Sequence, residues 1–325
     1  MNQGQQTQLE GSQGLIIRQL QERDLPTADK VFRIAFGTFM GLPEPETCFG
    51  DADYITTRWK ADPRSTFAAE MDGEVVGTNF ATNWGSVGFF GPLTIRPDLW
   101  DKGIGKLLLA PVMDLFDEWG VTHAGLFTFA HSAKHVGLYH KYGFYPRYLT
   151  AIMSKSVTEG AKASGWLNLS SVSPDEQGDL IAACKDLAGE IYPGLDVSRE
   201  IRAVADQQLG DTVLLNSDDQ LSGFAVCHTG PQTEAGSGAC YVKVAAVRSG
   251  PNAEENFDRL LSACEDLAVS AGLSRLIAGM NTARSGAYER MLAGGFRTDF
   301  QGVAMERANN EGYNKPDVFL IDDWR

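Results

Sequence analysis

The chain has 325 residues, 43% of them hydrophobic and 22% charged, with a formal net charge of −14. Two domains of average size fit that length, and the composition is typical of a globular protein. The acidic balance would repel a phosphate backbone, which argues against nucleic acid as a partner, and no apolar run approaches the roughly 20 residues that span a bilayer. We therefore expect a cytoplasmic protein that binds neither nucleic acid nor membrane.

Neither the N-terminal residues nor the cysteines indicate a particular function. Residues 1–14 are rich in Gln and Gly and lack an apolar segment, so we expect a disordered N-terminus rather than a signal peptide. The five cysteines are scattered and form no CxxC pair, which favours reduced thiols in the core over disulfides or zinc.

The first half alternates strand and helix patterns. Asp72-Gly73 is a strong hairpin signal between two of the strands, and Pro97 ends the third strand of that group. The expected elements are a strand over 16–20, helices over 25–39 and 52–60, strands over 65–71, 74–83 and 89–95, a long helix over 103–119, a strand over 124–129, a helix over 133–142 and a strand over 148–154.

The second half repeats this order. Its expected elements are a strand over 166–169, helices over 174–190 and 197–208, a hairpin of strands over 212–215 and 221–228, a strand over 241–247, a helix over 254–271, a strand over 274–280, a helix over 283–293 and strands over 302–306 and 318–322. The segment 138–144 is echoed by 290–296, about 150 residues downstream. Duplication is the simplest account, with domains over 15–155 and 166–325 and a linker over 156–165.

A glycine-rich turn joins a strand to the long helix of the first half. Gly103 and Gly105 let the backbone approach a ligand closely, and Lys102 and Lys106 add positive charge. A helix N-terminus of this kind is a ready phosphate site. A P-loop is excluded because Leu107 follows Lys106, and a dinucleotide fingerprint would need a glycine where the chain has leucine.

Two motifs in the expected order resemble those of the GNAT acetyltransferase superfamily. Ile95-Arg96-Pro97 followed by 101–105 is similar to its apolar-x-Pro strand end and Gly-x-Gly turn, although Trp100 stands where the family has Gln or Arg. The segment 138–144, Leu-Tyr-His-Lys-Tyr-Gly-Phe, is similar to its second motif, with Ser132 at the Asn place and His135 at the Ala place. The resemblance covers residues 15–155 by motif and the second half by architecture.

The resemblance implies an α/β fold of two tandem domains. Each would contain a mixed, mostly antiparallel sheet that is flanked by helices and splayed between its fourth and fifth strands. It also implies an acyl-CoA-dependent N-acyltransferase that passes an acetyl or short acyl group from acetyl-CoA to a primary amine. Tyr139 would protonate the departing thiolate as general acid. The expected cofactor-binding residues are Leu93, Thr94, Ile95, Asp101, Lys102, Gly103, Ile104, Gly105, Lys106 and Ser132.

The acceptor and the base stay open. The acceptor would be a small-molecule or peptide amine, for which Glu44, Glu46 and His131 are candidate binding residues. Candidate bases are Glu70, Asp98, His131 and the C-terminal carboxylate at Arg325. His131, His135 and His140 lack a completing Glu or Cys, so no metal site is expected.

The second half reads as a degenerate site. Gly103 and Gly105 correspond roughly to Glu255 and Phe257, and Met291, which cannot donate a proton, takes the place of Tyr139. The second half would then cover the substrate side of the first or form a homodimer interface. The alternative to an enzyme is a non-catalytic acyl-CoA-binding module, for which Trp100 and Ser132 are the reasons.

Overall fold

In a computed structural model that describes residues 14–160, 163–217 and 220–325, both halves have the predicted order of elements. The first half contains β1 (Leu15–Gln19), α1 (Leu25–Phe39), α2 (Ile55–Ala61), β2 (Thr66–Met71), β3 (Glu74–Trp84), β4 (Val87–Phe90), β5 (Thr94–Ile95), α3 (Ile104–Glu118), β6 (His123–Thr128), α4 (Ala133–His140) and β7 (Tyr145–Ser156). The second half contains β8 (Trp166–Asn168), α5 (Pro174–Ile191), α6 (Ser198–Gln207), β9 (Gly210–Ser217), β10 (Gln220–Thr229), β11 (Ala239–Val247), α7 (Ala253–Ser270), β12 (Arg275–Asn281), α8 (Ser285–Ala293), β13 (Arg297–Arg307) and β14 (Leu320–Ile321).

The expected N-terminal tail, apart from Gly14, lies outside the described residues, as do positions 161–162 of the expected linker and 218–219 of the second hairpin. One predicted element is corrected. The strand expected over 89–95 is two strands, β4 and β5, separated by Gly91, Pro92 and Leu93. Pro92 has no N–H to donate to a neighbouring strand and Gly91 has a φ of 144°, so a regular ladder stops there.

Strands of the two halves form one continuous sheet. Its order is β1-β2-β3-β4-β6-β13-β7-β12-β11-β10-β9-β8, with β5 on β3 and β14 on β11. Strand β13 of the second half lies between β6 and β7 of the first, and β7 pairs in turn with β12. The halves have therefore exchanged strands, and each completes the sheet of the other.

The sheet splays where the family resemblance predicts it. Strand β4 pairs with β6 in parallel only over Val87–Phe89, after which the two strands diverge. In the second half β11 pairs with β12 in parallel only over Ala239–Val242. The other pairs are antiparallel. The predicted mixed, mostly antiparallel sheet with a gap between its fourth and fifth strands is confirmed. These two strands are β4 and β6 in the first half, because the short β5 lies outside the main strand order.

Two apolar clusters pack the elements that surround the gap. Helix α3 presents Leu108, Leu109 and Val112 to the first half's core, as its helical spacing of apolar residues predicts. A separate cluster joins the halves, in which Trp84 and Phe89 pack with residues of the second half such as Phe224. Among the described residues, no helix combines the length and apolar character that crossing a membrane requires.

Candidate active site

The glycine-rich turn has the geometry of an anion site. Asp101 and Gly103 have positive φ angles of 66° and 82°, and Gly103 caps the N-terminus of α3. A Cβ atom on Gly103 would meet no heavy atom within 4 Å, so the space beside this backbone is open. The first N–H groups of a helix have no partner within the helix, and they point out of its N-terminus.

Trp100 ties this turn to the strand before it. Its indole Nε1 donates a hydrogen bond to the carbonyl of Ile95 at 2.8 Å. The Lys134 ammonium lies 5.8 Å from the indole ring centroid and 2.6 Å from the Asp101 carboxylate. The residue that departs from the family pattern thus acts through its side chain, a contact that the sequence comparison did not indicate.

Strand β5 leaves one edge unpaired by the sheet. It pairs with β3 at Gly77–Ile95 and Thr78–Thr94, while its other side faces the gap. A hydrogen bond of 2.9 Å joins the Thr94 and Thr78 hydroxyls and helps to hold β5 against β3. An extended ligand could therefore add to this edge as a further strand would.

A single cavity of about 1320 Å³ occupies the gap. Most of the predicted site residues line it, from the strand edge, the turn and helix α4: Leu93, Thr94, Ile95, Asp101, Gly103, Ile104, Gly105, Lys106, His131, Ser132 and Tyr139. Lys102, Glu44 and Glu46 are exposed and are absent from the described lining. The structure thus brings together residues that are 46 positions apart in the chain, from Leu93 to Tyr139.

Tyr139 lies on α4 with only 7% of its surface exposed. Its ring meets Phe90 edge to face at 5.6 Å between centroids. Burial raises the pKa of the Tyr139 hydroxyl above its ordinary value, so this side chain stays protonated at neutral pH. Ser132 caps the same helix by accepting a hydrogen bond from the His135 amide.

The two side-chain carboxylates suggested as bases lie elsewhere, whereas Arg325, whose C-terminal carboxylate was the third candidate, lines the cavity. Glu70 pairs with Arg18 at 2.6 Å, and Asp98 pairs with Arg96 at 2.8 Å. The hydrogen bond from Arg96 lowers the pKa of Asp98. Neither carboxylate is part of the described cavity lining.

Two histidines do line the cavity. The His131 and His135 rings lie 5.7 and 5.1 Å from the ring of Phe39. Burial is the main reason that the pKa of His135 is lowered, and nearby Lys134 adds to it. His135 is therefore mostly neutral at pH 7.

A buried ion cluster closes the cavity on the side of the second half. Arg58 donates to both Glu234 oxygens at 2.9 Å, and Lys243 donates to the same carboxylate at 2.7 Å. Burial alone would raise the pKa of Glu234, but the two cations hold it well below its ordinary value. Arg58 also donates to the main-chain oxygen of Arg325, which brings the last residues to the cavity.

The corresponding gap of the second half is filled. Strand β14 pairs with β11 beyond the point where β11 leaves β12, and residues 318–324 are buried. A Cβ atom on Gly279 in β12 would lie 2.1 Å from the Asp323 side chain, so the segment rests directly on that strand.

The second half's helices show the same contrast. By helix start, Gly103 corresponds to Asn252 and Gly105 to Glu254, a shift from the pairing with Glu255 and Phe257 inferred from sequence. Met291 is at the place of Tyr139 and is fully buried in the core.

Residues 31–144 match the model of the acetyltransferase (GNAT) family. No curated protein matches the chain significantly. A solved structure from Pyrococcus horikoshii, described as a candidate acetyltransferase, superposes with a TM-score of 0.70 at 15% identity, with 98% of each chain covered. A GCN5-related N-acetyltransferase from Sphaerobacter thermophilus gives a TM-score of 0.59 at 14% identity, covering 90% of this chain and 95% of that one.

A tandem GNAT protein from the clavulanic acid biosynthesis pathway gives a TM-score of 0.53 at 12% identity, covering 90% of this chain and 98% of that one. Residues 31–144 are therefore similar to a GNAT acetyltransferase domain, and the whole chain has the fold of tandem GNAT proteins. The match of this segment to the family model supports an acetyl transfer function.

Proposed function

We propose that this protein transfers an acetyl or short acyl group from coenzyme A to a primary amine by direct attack, with Tyr139 as general acid. One observation carries the proposal: the strand edge, the glycine turn and Tyr139 all border the same cavity. Acyl-CoA supplies the activated thioester, and every other requirement falls on side chains and amides of this chain.

The residues present fit coenzyme A. Open space at the left-handed Gly103 lets a diphosphate approach the N-terminus of α3, and Lys106 adds a positive charge there. The unpaired edge at Leu93–Ile95 matches the amides of a pantetheine arm. Amide N–H groups next to this edge would polarise the thioester carbonyl.

The cavity is large. Its volume of about 1320 Å³ exceeds the range of about 300–1,000 Å³ that is usual for a drug-sized ligand, as a site for acyl-CoA and an amine together requires. Direct attack needs the amine and the thioester side by side, so a cavity for two ligands is what this reaction requires.

Proton movements follow from the two kinds of lining group. Tyr139 keeps its proton at neutral pH and would donate it to the sulfur as the thioester C–S bond breaks, so that coenzyme A leaves as the neutral thiol. An amine arrives mostly as ammonium and must first lose a proton. His131 and His135 are the imidazoles in the lining, and we propose that one of them accepts it.

A thiol-release assay separates an enzyme from a non-catalytic acyl-CoA-binding module. The full-length protein is mixed with acetyl-CoA and a panel of primary amines, and free coenzyme A is measured; binding of acetyl-CoA is measured separately by calorimetry. The enzyme reading requires both binding and amine-dependent release. Binding without release on any amine would favour the module, and an absence of binding would refute both readings.

A further inference from the structure

We infer that the acceptor is a monoamine with an aromatic body, rather than a polyamine or an aminoglycoside-like polycation. This inference rests on the proposed acyl transfer and names the substrate class for the same site. It is carried by the phenylalanine rings that line the cavity and by the pairing of every side-chain carboxylate in the described lining.

The aromatic wall is built from four separate segments. Phe36 and Phe39 come from α1, Phe49 from the loop after it, Phe127 and Phe129 from β6 and its end, and Phe300 from β13. Rings from different segments contact one another in pairs. The ring centroids are 5.5 Å apart for Phe36 and Phe49, 5.0 Å for Phe39 and Phe129, and 6.3 Å for Phe127 and Phe300. A flat apolar group between such rings gains stacking contacts in addition to burial.

The carboxylates that line the cavity already have cationic partners. Asp101 pairs with Lys134 at 2.6 Å, and Asp299 pairs with Arg275 at 2.7 Å. The third, Glu234, is held by Arg58 and Lys243.

These are the side-chain carboxylates of the lining among the described residues, and the main-chain oxygen of Arg325 beside them already accepts a hydrogen bond from Arg58. A second ammonium on the acceptor would therefore lose its water without gaining a counter-charge. The protein's net charge of −14 is not concentrated where the acceptor would bind.

The aromatic wall reaches the protein surface. Met40, Phe49 and Phe300 line the cavity and are 43%, 37% and 43% exposed. They belong to segments other than the glycine turn, so we take this exposed part of the wall as the site of the acceptor rather than of coenzyme A.

The test uses the full-length protein saturated with desulfo-coenzyme A, which cannot transfer an acyl group. Binding of 2-phenylethylamine, n-butylamine, spermidine and kanamycin is measured by calorimetry. We expect 2-phenylethylamine to bind about tenfold more tightly than n-butylamine, because the ring adds stacking and burial, and both polycations to bind more weakly still. Tighter binding of spermidine or kanamycin would overturn the inference, as would equal binding of the two monoamines.

Variants of the wall sharpen the result. Phe129 is half-buried, so Phe129→Leu keeps an apolar side chain while removing the ring. This change should weaken 2-phenylethylamine binding about three- to tenfold and leave the affinity for desulfo-coenzyme A within twofold, while Phe129→Tyr restores the amine affinity. If Phe129→Leu instead weakens binding of octanoyl-CoA and spares the amine, the wall holds the acyl chain and the inference is wrong.

The assays also keep the two proposals apart. Failure of the wild-type protein to bind coenzyme A would refute the proposed acyl transfer itself. Turnover of polycations with intact coenzyme A binding would refute the acceptor class alone.

Discussion

The two gaps in the sheet are built alike and hold different things. Between β4 and β6 the chain leaves a cavity bordered by Gly103, Gly105 and Tyr139. Between β11 and β12 it places its own residues 318–323. The fold thus provides a gap in both halves, but binding capacity depends on whether the turn and the neighbouring helix supply the right groups and whether the gap is left open.

The largest expected effect comes from charge in the open gap. Gly105→Glu should abolish measurable acetyl-CoA binding, because a long charged side chain at this buried position would have to displace the apolar side chains and the turn that border the cavity. Gly105→Ala is the steric control, since its Cβ would meet Ile95 and Leu138 side chains at 3.4 and 3.5 Å, an ordinary contact distance.

In the filled gap, Glu254→Ala and Glu255→Ala should leave the affinity unchanged. A tenfold loss in either one, measured by calorimetry, would show that the second half binds the cofactor after all.

Loss of the buried hydroxyl should come next. Tyr139→Phe should lower kcat by about 100-fold or more while leaving the acetyl-CoA dissociation constant within twofold, because only the proton donor is removed. Met291→Leu, the matched change on α8, should leave kcat unaltered, since it conserves volume in a core away from the cavity. Wild-type kcat in Tyr139→Phe would require another acid.

Overpacking should displace the segment that fills the second gap. Gly279→Ala puts a methyl group 2.1 Å from Asp323, and Gly125→Ala puts one 2.0 Å from the Trp324 ring. Each should lower the free energy of unfolding by about 1–3 kcal/mol. Each should also raise KM for the amine, because Trp324 and Arg325 line the cavity. Gly178→Ala is the control: no heavy atom lies within 4 Å of its Cβ, so stability should rise slightly. Denaturant unfolding and steady-state kinetics measure both effects.

The smallest effect concerns the exchanged strand between the gaps. Burial raises the pKa of Glu306 on β13 from 4.5 to about 8, with His123 Nε2 and Arg147 Nε at 3.6 and 3.9 Å. The pKa of Glu306 is higher in the folded state than in the unfolded state, so the protonated form contributes to the stability of the fold. This contribution is fully present below pH 4.5 and is lost as pH rises through 8.

Burial also lowers the pKa of His123, so Glu306 is the group of this pair that titrates above pH 6.5. The unfolding free energy should fall by at most about 1.4 kcal/mol per pH unit between pH 6.5 and 8, and Glu306→Gln should flatten that slope. An unchanged slope in the variant would show that another group is responsible.

The sequence predicts those features that are local along the chain. The strand–turn–helix at 95–106 and the position of Tyr139 on α4 depend on neighbouring residues, and both were placed correctly in the element order. A strand near 318–322 was also expected, but its position in the second gap was not. That position depends on Gly279, about 40 residues away in the chain, which alone leaves room for Asp323.

Long-range side-chain contacts were out of reach for the same reason. The Arg58–Glu234 pair joins residues 176 positions apart, and no local pattern marks either partner. The aromatic wall combines α1, β6 and β13, whose phenylalanines read as ordinary core residues one element at a time. The Trp100 indole bond to Ile95 spans five positions, yet the family pattern offered no residue of that shape for comparison.

The strand exchange makes each half depend on the other. Strand β13 of the second half pairs with β6, and β7 of the first half pairs with β12. A gene encoding either half alone would therefore yield a protein with a long unpaired strand edge, which favours aggregation. A second half that bound no cofactor would therefore still be required to complete the sheet of the first.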